Sequence, residues 1–268
     1  MDNWELVYEG WDPAQEPIRE ALCTLGNGFF ATRGATEESR AGSSHYPGTY
    51  LAGGYNRLRS EVKGREIENE DLVNWPNWLC LGFRFPGGSW FELREEGLLE
   101  YRQALDLAGG ILSRRILFDD EKGRRTLIES RRFVSMADPH TAAVEWTVTP
   151  VNWSGAVEIR SELDGNVINR GVPRYSDLAQ HHLEYVDSGR SREHTVYLST
   201  RTTQSHIVTA MAARTTAFSD DGPLNEARFS DIKRKPRIGQ ILTLDCREGE
   251  SFRIEKIVGL FTSRDRAI

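Results

Sequence analysis

Ala156-Val157-Glu158-Ile159-Arg160-Ser161-Glu162-Leu163 sets Val157, Ile159 and Leu163 on one side of an extended chain and Glu158, Arg160 and Glu162 on the other. Successive side chains of a strand point to opposite faces, so this period of two predicts a strand with one face on a core and one in water. The pattern continues outward in both directions. Residues 141–149 repeat it with Ala142, Val144, Trp146 and Val148 on one face, and near the C-terminus Phe252, Ile254 and Val258 alternate with Arg253 and Glu255. Residues 111–118 and 126–134 flank Asp119-Asp120-Glu121-Lys122-Gly123, a polar connection of hairpin type. Gly87-Gly88 and Gly109-Gly110 punctuate two further strand pairs. Helical signals are few: residues 17–22 predict a turn or two, and residues 175–183, with Ser176 as N-cap, predict another. Neither is long enough to be stable without packing. No strand is followed by a long helix and another strand, which disfavours a parallel α/β sheet. The expectation is an all-β chain: ten or more antiparallel strands in two packed sheets, with a few short helices. The polar stretch 219–236 reads as a long surface loop. No repeat or Pro/Ser linker divides residues 1–268, which predicts a single domain.

Composition narrows the function classes. The 268 residues carry 34 Lys and Arg against 40 Asp and Glu, a net charge of −6, with no concentrated basic face of the kind nucleic acid requires. The longest apolar runs, such as residues 257–261 interrupted by Gly259, fall far short of the ~20 residues that span a bilayer, so no membrane partner is expected. Met1-Asp2-Asn3-Trp4-Glu5 lacks the basic and apolar regions of a secretion signal, which predicts a cytoplasmic protein. Cys23, Cys80 and Cys246 are odd in number and widely spaced, the pattern of buried free thiols rather than a metal site. Adjacent His181-His182 does not bring two ring nitrogens to one metal as histidines at i, i+4 do, and no metal ligand set is expected. Asn152-Trp153-Ser154 matches a glycosylation sequon by chance in a chain without a secretion signal.

Carboxylates pair in sequence at Glu37-Glu38, Glu95-Glu96, Asp119-Asp120 and Asp220-Asp221. Glycosidic-bond chemistry needs carboxyl groups ~5–10 Å apart across a sugar, a relation that adjacency does not encode, so each pair is expected to be a solvated turn. Gly26-Asn27-Gly28 lacks the spacing of a phosphate-cradling loop and predicts a tight turn with positive φ, with Arg33-Gly34 closing a second. No Gly-x-Ser-x-Gly elbow marks a nucleophile. Trp75-Pro76-Asn77-Trp78 combines indoles, which stack on the apolar faces of sugars, with an amide that can satisfy hydroxyls. The same motif fits two core anchors at a Pro-kinked strand start.

An ordered series of motifs resembles one known family across nearly the whole chain. Thr24-Leu25-Gly26-Asn27-Gly28-Phe29-Phe30-Ala31-Thr32-Arg33-Gly34 and Gly48-Thr49-Tyr50-Leu51-Ala52-Gly53 are similar to the opening of glycoside hydrolase family 65. Leu72-Val73-Asn74-Trp75-Pro76-Asn77-Trp78, Arg131-Arg132-Phe133-Val134-Ser135-Met136-Ala137-Asp138, Leu163-Asp164-Gly165-Asn166-Val167-Ile168-Asn169 and Thr262-Ser263-Arg264-Asp265 follow in the family's order. That family contains phosphorylases and some hydrolases of α-linked glucose disaccharides, including trehalose, maltose and kojibiose. The resemblance implies an N-terminal β-supersandwich similar to the galactose-mutarotase fold, followed in the family by a linker, an (α/α)6 barrel and a small C-terminal β domain. It further implies that the general-acid Glu and the phosphate-holding residues belong to the barrel, so no catalytic residue is expected in residues 1–268. No cofactor is expected, and inorganic phosphate, as co-substrate of the parent enzyme, would bind outside this chain. The implied partners are the catalytic barrel of the same polypeptide, an α-linked glucose disaccharide and a second copy in a homodimer. The loops at residues 26–33 and 75–78 are expected to face the barrel, with Asn27, Arg33, Trp75, Asn77 and Trp78 as the expected substrate-binding residues. Two other classes stay open: an autonomous carbohydrate-binding module, and a sugar epimerase using histidines among His140, His181, His182, His194 and His206.

Overall fold

In the computed structural model, which describes residues 4–169, 178–219, 222–224 and 228–265, the stretch quoted first forms the strand Gly155–Asp164. Nineteen strands and one helix, Glu16–Leu22 (α1), occur among the described residues. Numbered in chain order, the largest sheet runs Glu5–Glu9 (β1), Leu98–Asp106 (β8), Ile111–Asp119 (β9), Arg125–Val134 (β10), Thr141–Pro150 (β11), Phe252–Thr262 (β19), Val208–Ser219 (β15), Thr195–Thr202 (β14) and Leu183–Arg190 (β13), with Gly222–Pro223 (β16) beside β15. A smaller sheet orders Arg228–Arg234 (β17), Arg237–Cys246 (β18), Gly155–Asp164 (β12) and Leu81–Arg84 (β7). Leu25–Gly26 (β2), Phe30–Thr32 (β3) and Thr49–Leu51 (β4) form a third sheet, and Tyr55–Val62 (β5) with Arg65–Leu72 (β6) a two-stranded ribbon. Every strand pair described is antiparallel. The all-β, antiparallel expectation holds.

The alternation read from the sequence is the alternation observed. Strand β11 buries every second residue, so that Ala142, Val144, Trp146 and Val148 enter the core while their neighbours stay partly exposed. Ile116, Ile128 and Ile254 of the large sheet and Val157, Ile159 and Leu242 of the small one belong to the same buried cluster. Each such side chain contributes ~1.5–3 kcal/mol on leaving water, which is why the apolar faces of the two sheets pack together. The hairpin β9–β10 turns through residues 120–124, and Gly109-Gly110 joins β8 to β9, as the punctuation predicts. The helix α1 covers residues 17–22, and all three cysteines are buried and free. No helix among the described residues is long and apolar enough to cross a membrane.

Four local expectations are corrected. Strand β12 is covered on both faces: besides Val157, Ile159 and Leu163, the charged Arg160 and Glu162 are buried. Arg40 and Trp90 lie over that side, Arg40 bonded to Glu162 and Trp90 stacked under Arg160. Within residues 219–236, β16 and β17 replace half of the anticipated loop, because β17 finds the free edge of β18. Residues 89–94 return from Gly87-Gly88 without forming a strand. Residues 170–177, which hold the start of the second anticipated helix, lie outside the described residues, and its last residue, Leu183, begins β13.

Candidate functional site

The turn between β2 and β3 is shaped by Gly28, whose φ of 87° is open only at cost to other residues. Asn27 seals it. Its Oδ1 accepts the N–H groups of Phe29 and Phe30 at 2.9 and 3.1 Å, and its Nδ2 donates to the carbonyls of Ser135 and Pro139 at 2.7 and 3.0 Å. Both lone-pair directions and both donors of the amide are therefore engaged within the protein. Arg33, just past β3, donates from Nη2 to the Pro17 carbonyl at 2.9 Å, lies 3.7 Å from Glu20 and stacks over the Tyr46 ring. Gly34 does not close a turn by positive φ. It permits a close approach instead, since a Cβ there would lie 2.5 Å from that of Cys23.

The segment at residues 75–78 is tied to the three-stranded β2–β3–β4 sheet by a bridge between Thr49 and Trp75. Trp75 and Trp78 are both fully buried in the core cluster. An indole with no face open to solvent has no surface on which to stack a sugar, so in this arrangement the two tryptophans act as core anchors. Asn77 differs. Its backbone exchanges two hydrogen bonds with Asp164, at 2.8 and 2.9 Å, and its Oδ1 accepts the Leu79 N–H. It lines a cleft of about 190 Å³ together with Arg40, Asp164, Asn166 and Arg237. Of the five residues expected to bind substrate, Asn77 alone lines this cleft; Asn27 is engaged at the β2–β3 turn, and Arg33, past the other end of β3, is held by Pro17, Glu20 and the Tyr46 ring.

The least anticipated feature is the pair Glu37-Glu38, which is not a solvated turn. Glu38 and Arg114 form a bidentate pair at 2.5 and 2.7 Å. Glu37 receives Arg114 at 2.6 Å, Arg132 at 3.0 Å and the Ser130 hydroxyl at 3.2 Å. All five residues are buried between the large sheet and the chain from Ala35 to Ser39. Burial by itself would push the Glu37 carboxyl up, but the Arg114 and Arg132 guanidiniums outweigh it and hold the group below the usual carboxylate range. Arg132 is shifted down by burial, against the pull of Glu37. A general acid must carry a proton at working pH, so an enclosed, ionised Glu37 is unsuited to that task. Glu16 is shifted the other way, raised by burial against His45 and Arg19, yet it is 1% exposed and sealed from any substrate. The signal was available: Arg114 and Arg132 occupy inward positions in the alternations of β9 and β10, as Lys256 does between Ile254 and Val258.

Two histidines considered for epimerase chemistry have packing roles. His182 is 1% exposed, within 3.1 Å of Asn56 and 3.3 Å of Asp71, and burial lowers its pKa against the pull of Asp71. His140 bonds the Leu260 carbonyl through Nδ1 and stacks on Phe261. Among the described residues no group of three His, Cys, Asp or Glu side chains converges as a metal set.

The comparisons with known proteins agree with this architecture. The family model described as "Glycosyl hydrolase family 65, N-terminal domain" matches residues 6–268. An uncharacterized glycosyl hydrolase of Mycobacterium tuberculosis is 42% identical over 99% of this chain and 20% of its own length. Kojibiose phosphorylase of Thermoanaerobacter brockii is 33% identical over 98% of this chain and 33% of its own. A solved structure described as "Putative kojibiose phosphorylase from human microbiome" superposes with a TM-score of 0.80 at 17% identity, over 97% of this chain and 32% of that one. The chain thus spans between a fifth and a third of the length of these relatives. With the match to the family's N-terminal domain running from residue 6 to residue 268, the chain belongs to glycosyl hydrolase family 65.

Proposed function

We propose that this chain is the non-catalytic N-terminal domain of an enzyme acting on α-linked glucose disaccharides such as trehalose, maltose or kojibiose, by phosphorolysis or hydrolysis. The observation that carries the reading is the span of the matches: nearly all of this chain aligns with no more than a third of each relative described above. Inverting phosphorolysis needs a carboxylic acid to protonate the glycosidic oxygen while phosphate attacks C1 from the opposite face. In this reading both the acid and the phosphate site come from the (α/α)6 barrel, with inorganic phosphate as co-substrate, and this chain docks on that barrel and steadies it. The Arg-locked state of Glu37 and Glu38 supports an accessory role. So does an apolar stripe on the outer face of the large sheet, where exposed Phe133 and Ile257 flank Ala143 across three adjacent strands. The stripe continues to exposed Phe261, and association with the barrel or with a second copy in a homodimer would remove such surface from water.

The test is a phosphorolysis and hydrolysis assay on the three disaccharides, run with the 268-residue chain and with the chain mixed with a separately expressed family barrel. The expected result is no turnover from the chain alone and co-elution with the barrel in size-exclusion chromatography. Release of glucose or glucose 1-phosphate by the chain alone would overturn the non-catalytic assignment.

A further inference from the structure

The cleft beside Asn77 has an imbalance of charge and of hydrogen-bond donors that the accessory role does not use. Asp164 lies between two guanidiniums, with Arg237 Nε 2.8 Å from Oδ1 and Arg40 Nη1 3.3 Å from Oδ2. Arg40 also reaches Glu162 at 2.8 Å, and Glu162 in turn is 3.1 Å from Arg160. Three guanidiniums therefore share two carboxylates among the described residues, and the Glu162 and Asp164 side chains are only 5% and 10% exposed. Lys256 adds further positive character from behind, its Nζ 2.7 Å from the Glu162 carbonyl. Burial, followed by the neighbouring Arg40, pushes the Arg160 guanidinium below its usual value. Arg160 does not itself line the cleft, but Arg40 and Arg237 do, both partly exposed, and an anion entering there would add an acceptor to guanidiniums that now share two carboxylates.

The donors point the same way. Asp164 has little accepting capacity to spare, because Oδ1 also takes the Asn166 N–H at 2.8 Å. Asn77 is 7% exposed and lines the cleft; its Oδ1 is engaged by Leu79, while its Nδ2 has no partner among the described residues. The side chain of exposed Asn166 is likewise unpaired among them. Guanidinium and amide donors converging on one space, with the local acceptor already occupied, match the oxygens of a phosphoryl group. Ile168 also lines the cleft and offers an apolar surface suited to the C–H face of a sugar ring. The volume of about 190 Å³ suits one ring rather than a disaccharide.

We propose that this cleft binds the phosphate monoester of a monosaccharide, the phosphoryl group held by Arg40, Arg237, Asn77 Nδ2 and the Asn166 side-chain amide, and the ring resting on Ile168. The site goes beyond the accessory role and does not depend on it, since every residue named for it belongs to this chain.

The test is isothermal titration calorimetry on the 268-residue chain with four probes: glucose 1-phosphate, glucose 6-phosphate, inorganic phosphate and glucose. Saturable binding of at least one ester is expected, at least tenfold tighter than inorganic phosphate and with glucose silent. Arg237→Gln should weaken it at least tenfold and Asn166→Ala severalfold, each with an unchanged melting temperature. Arg237 is partly exposed and Asn166 exposed, and if Arg237→Gln does not fold, Asn166→Ala decides. No saturable binding of any phosphate, or affinity untouched by these substitutions, would overturn the proposal. Inorganic phosphate binding as tightly as the esters would overturn its sugar half, and glucose binding as tightly as its esters would overturn the anionic half.

Discussion

Glu37→Gln deletes one negative charge from the buried network while keeping side-chain shape nearly constant. Glu37, Arg114 and Arg132 side chains are 3%, 4% and 2% exposed, so water does not replace what is lost. Arg114 keeps its bidentate pair with Glu38, but Arg132 is left with the Arg33 carbonyl at 3.3 Å, and the new amide N–H₂ faces guanidinium donors. Breaking one partner out of a buried ion pair costs ~3–5 kcal/mol. At ~2–4 °C per kcal/mol for chains of comparable size, the melting temperature should fall by about 6–20 °C. The internal control is Glu145→Gln. Glu145 pairs at 2.7 Å with Arg131, the residue next to Arg132 but on the outer face, where the two side chains are 24% and 66% exposed. Such a surface pair contributes ~0–1 kcal/mol and is screened by salt. Urea denaturation and thermal melts of both variants, with and without added salt, should show a large, salt-insensitive loss for Glu37→Gln and a small one for Glu145→Gln. Equal losses, or a loss below about 1 kcal/mol at Glu37, would refute the claim that the network holds the chain over the large sheet.

Lys256 sits fully buried with its pKa lowered to about 8 by burial. The unfolded chain then binds more protons than the folded one between about pH 8 and the ordinary lysine value near ~10.4, so the folded state gains stability as pH rises through that window. The stability difference between wild type and Lys256→Met, followed by urea titration from pH 7 to 10, should shift toward wild type with increasing pH; a flat difference would count against a lowered Lys256 pKa. Gly97 has φ +82°, and a Cβ there would run into the Asp119 carbonyl, whereas Gly64 has φ +73° with open space around it. Gly97→Ala should lower the melting temperature clearly more than Gly64→Ala, and equal effects would mean the β8–β9 edge yields freely. Titration of trehalose, maltose or kojibiose into the chain should give no saturable heat, because Trp75 and Trp78 offer no exposed face; millimolar binding abolished by Trp78→Ala would overturn that.

Much of the architecture was legible because strand alternation is local. In β11 and β19 the apolar residues recur at every second position, and a reader needs no knowledge of distant chain to place them inside. The Trp75–Trp78 motif was less decisive, since aromatic residues serve equally as sugar platforms and as core anchors, and only the packing around them separates the two. The cleft was not legible at all. Arg40, Asn77, Asp164 and Arg237 come from four distant segments, and no spacing rule joins them.

The sequence by itself determined the class of this protein: which segments are strands, which face of most of them is apolar, and, through an ordered series of motifs, the family. Tertiary structure decided which charged residues leave water. Glu37, Glu38, Arg160, Glu162 and Lys256 carry the same charges in sequence as any solvated residue. Their burial depends on what lies across from them, Arg114 and Arg132 from another hairpin, Arg40 from a distant loop, the Cys80 and Glu162 carbonyls from the opposite sheet. A buried charge is tolerable only when its partners are in place, and partners 77 to 176 residues apart meet only once the chain has folded.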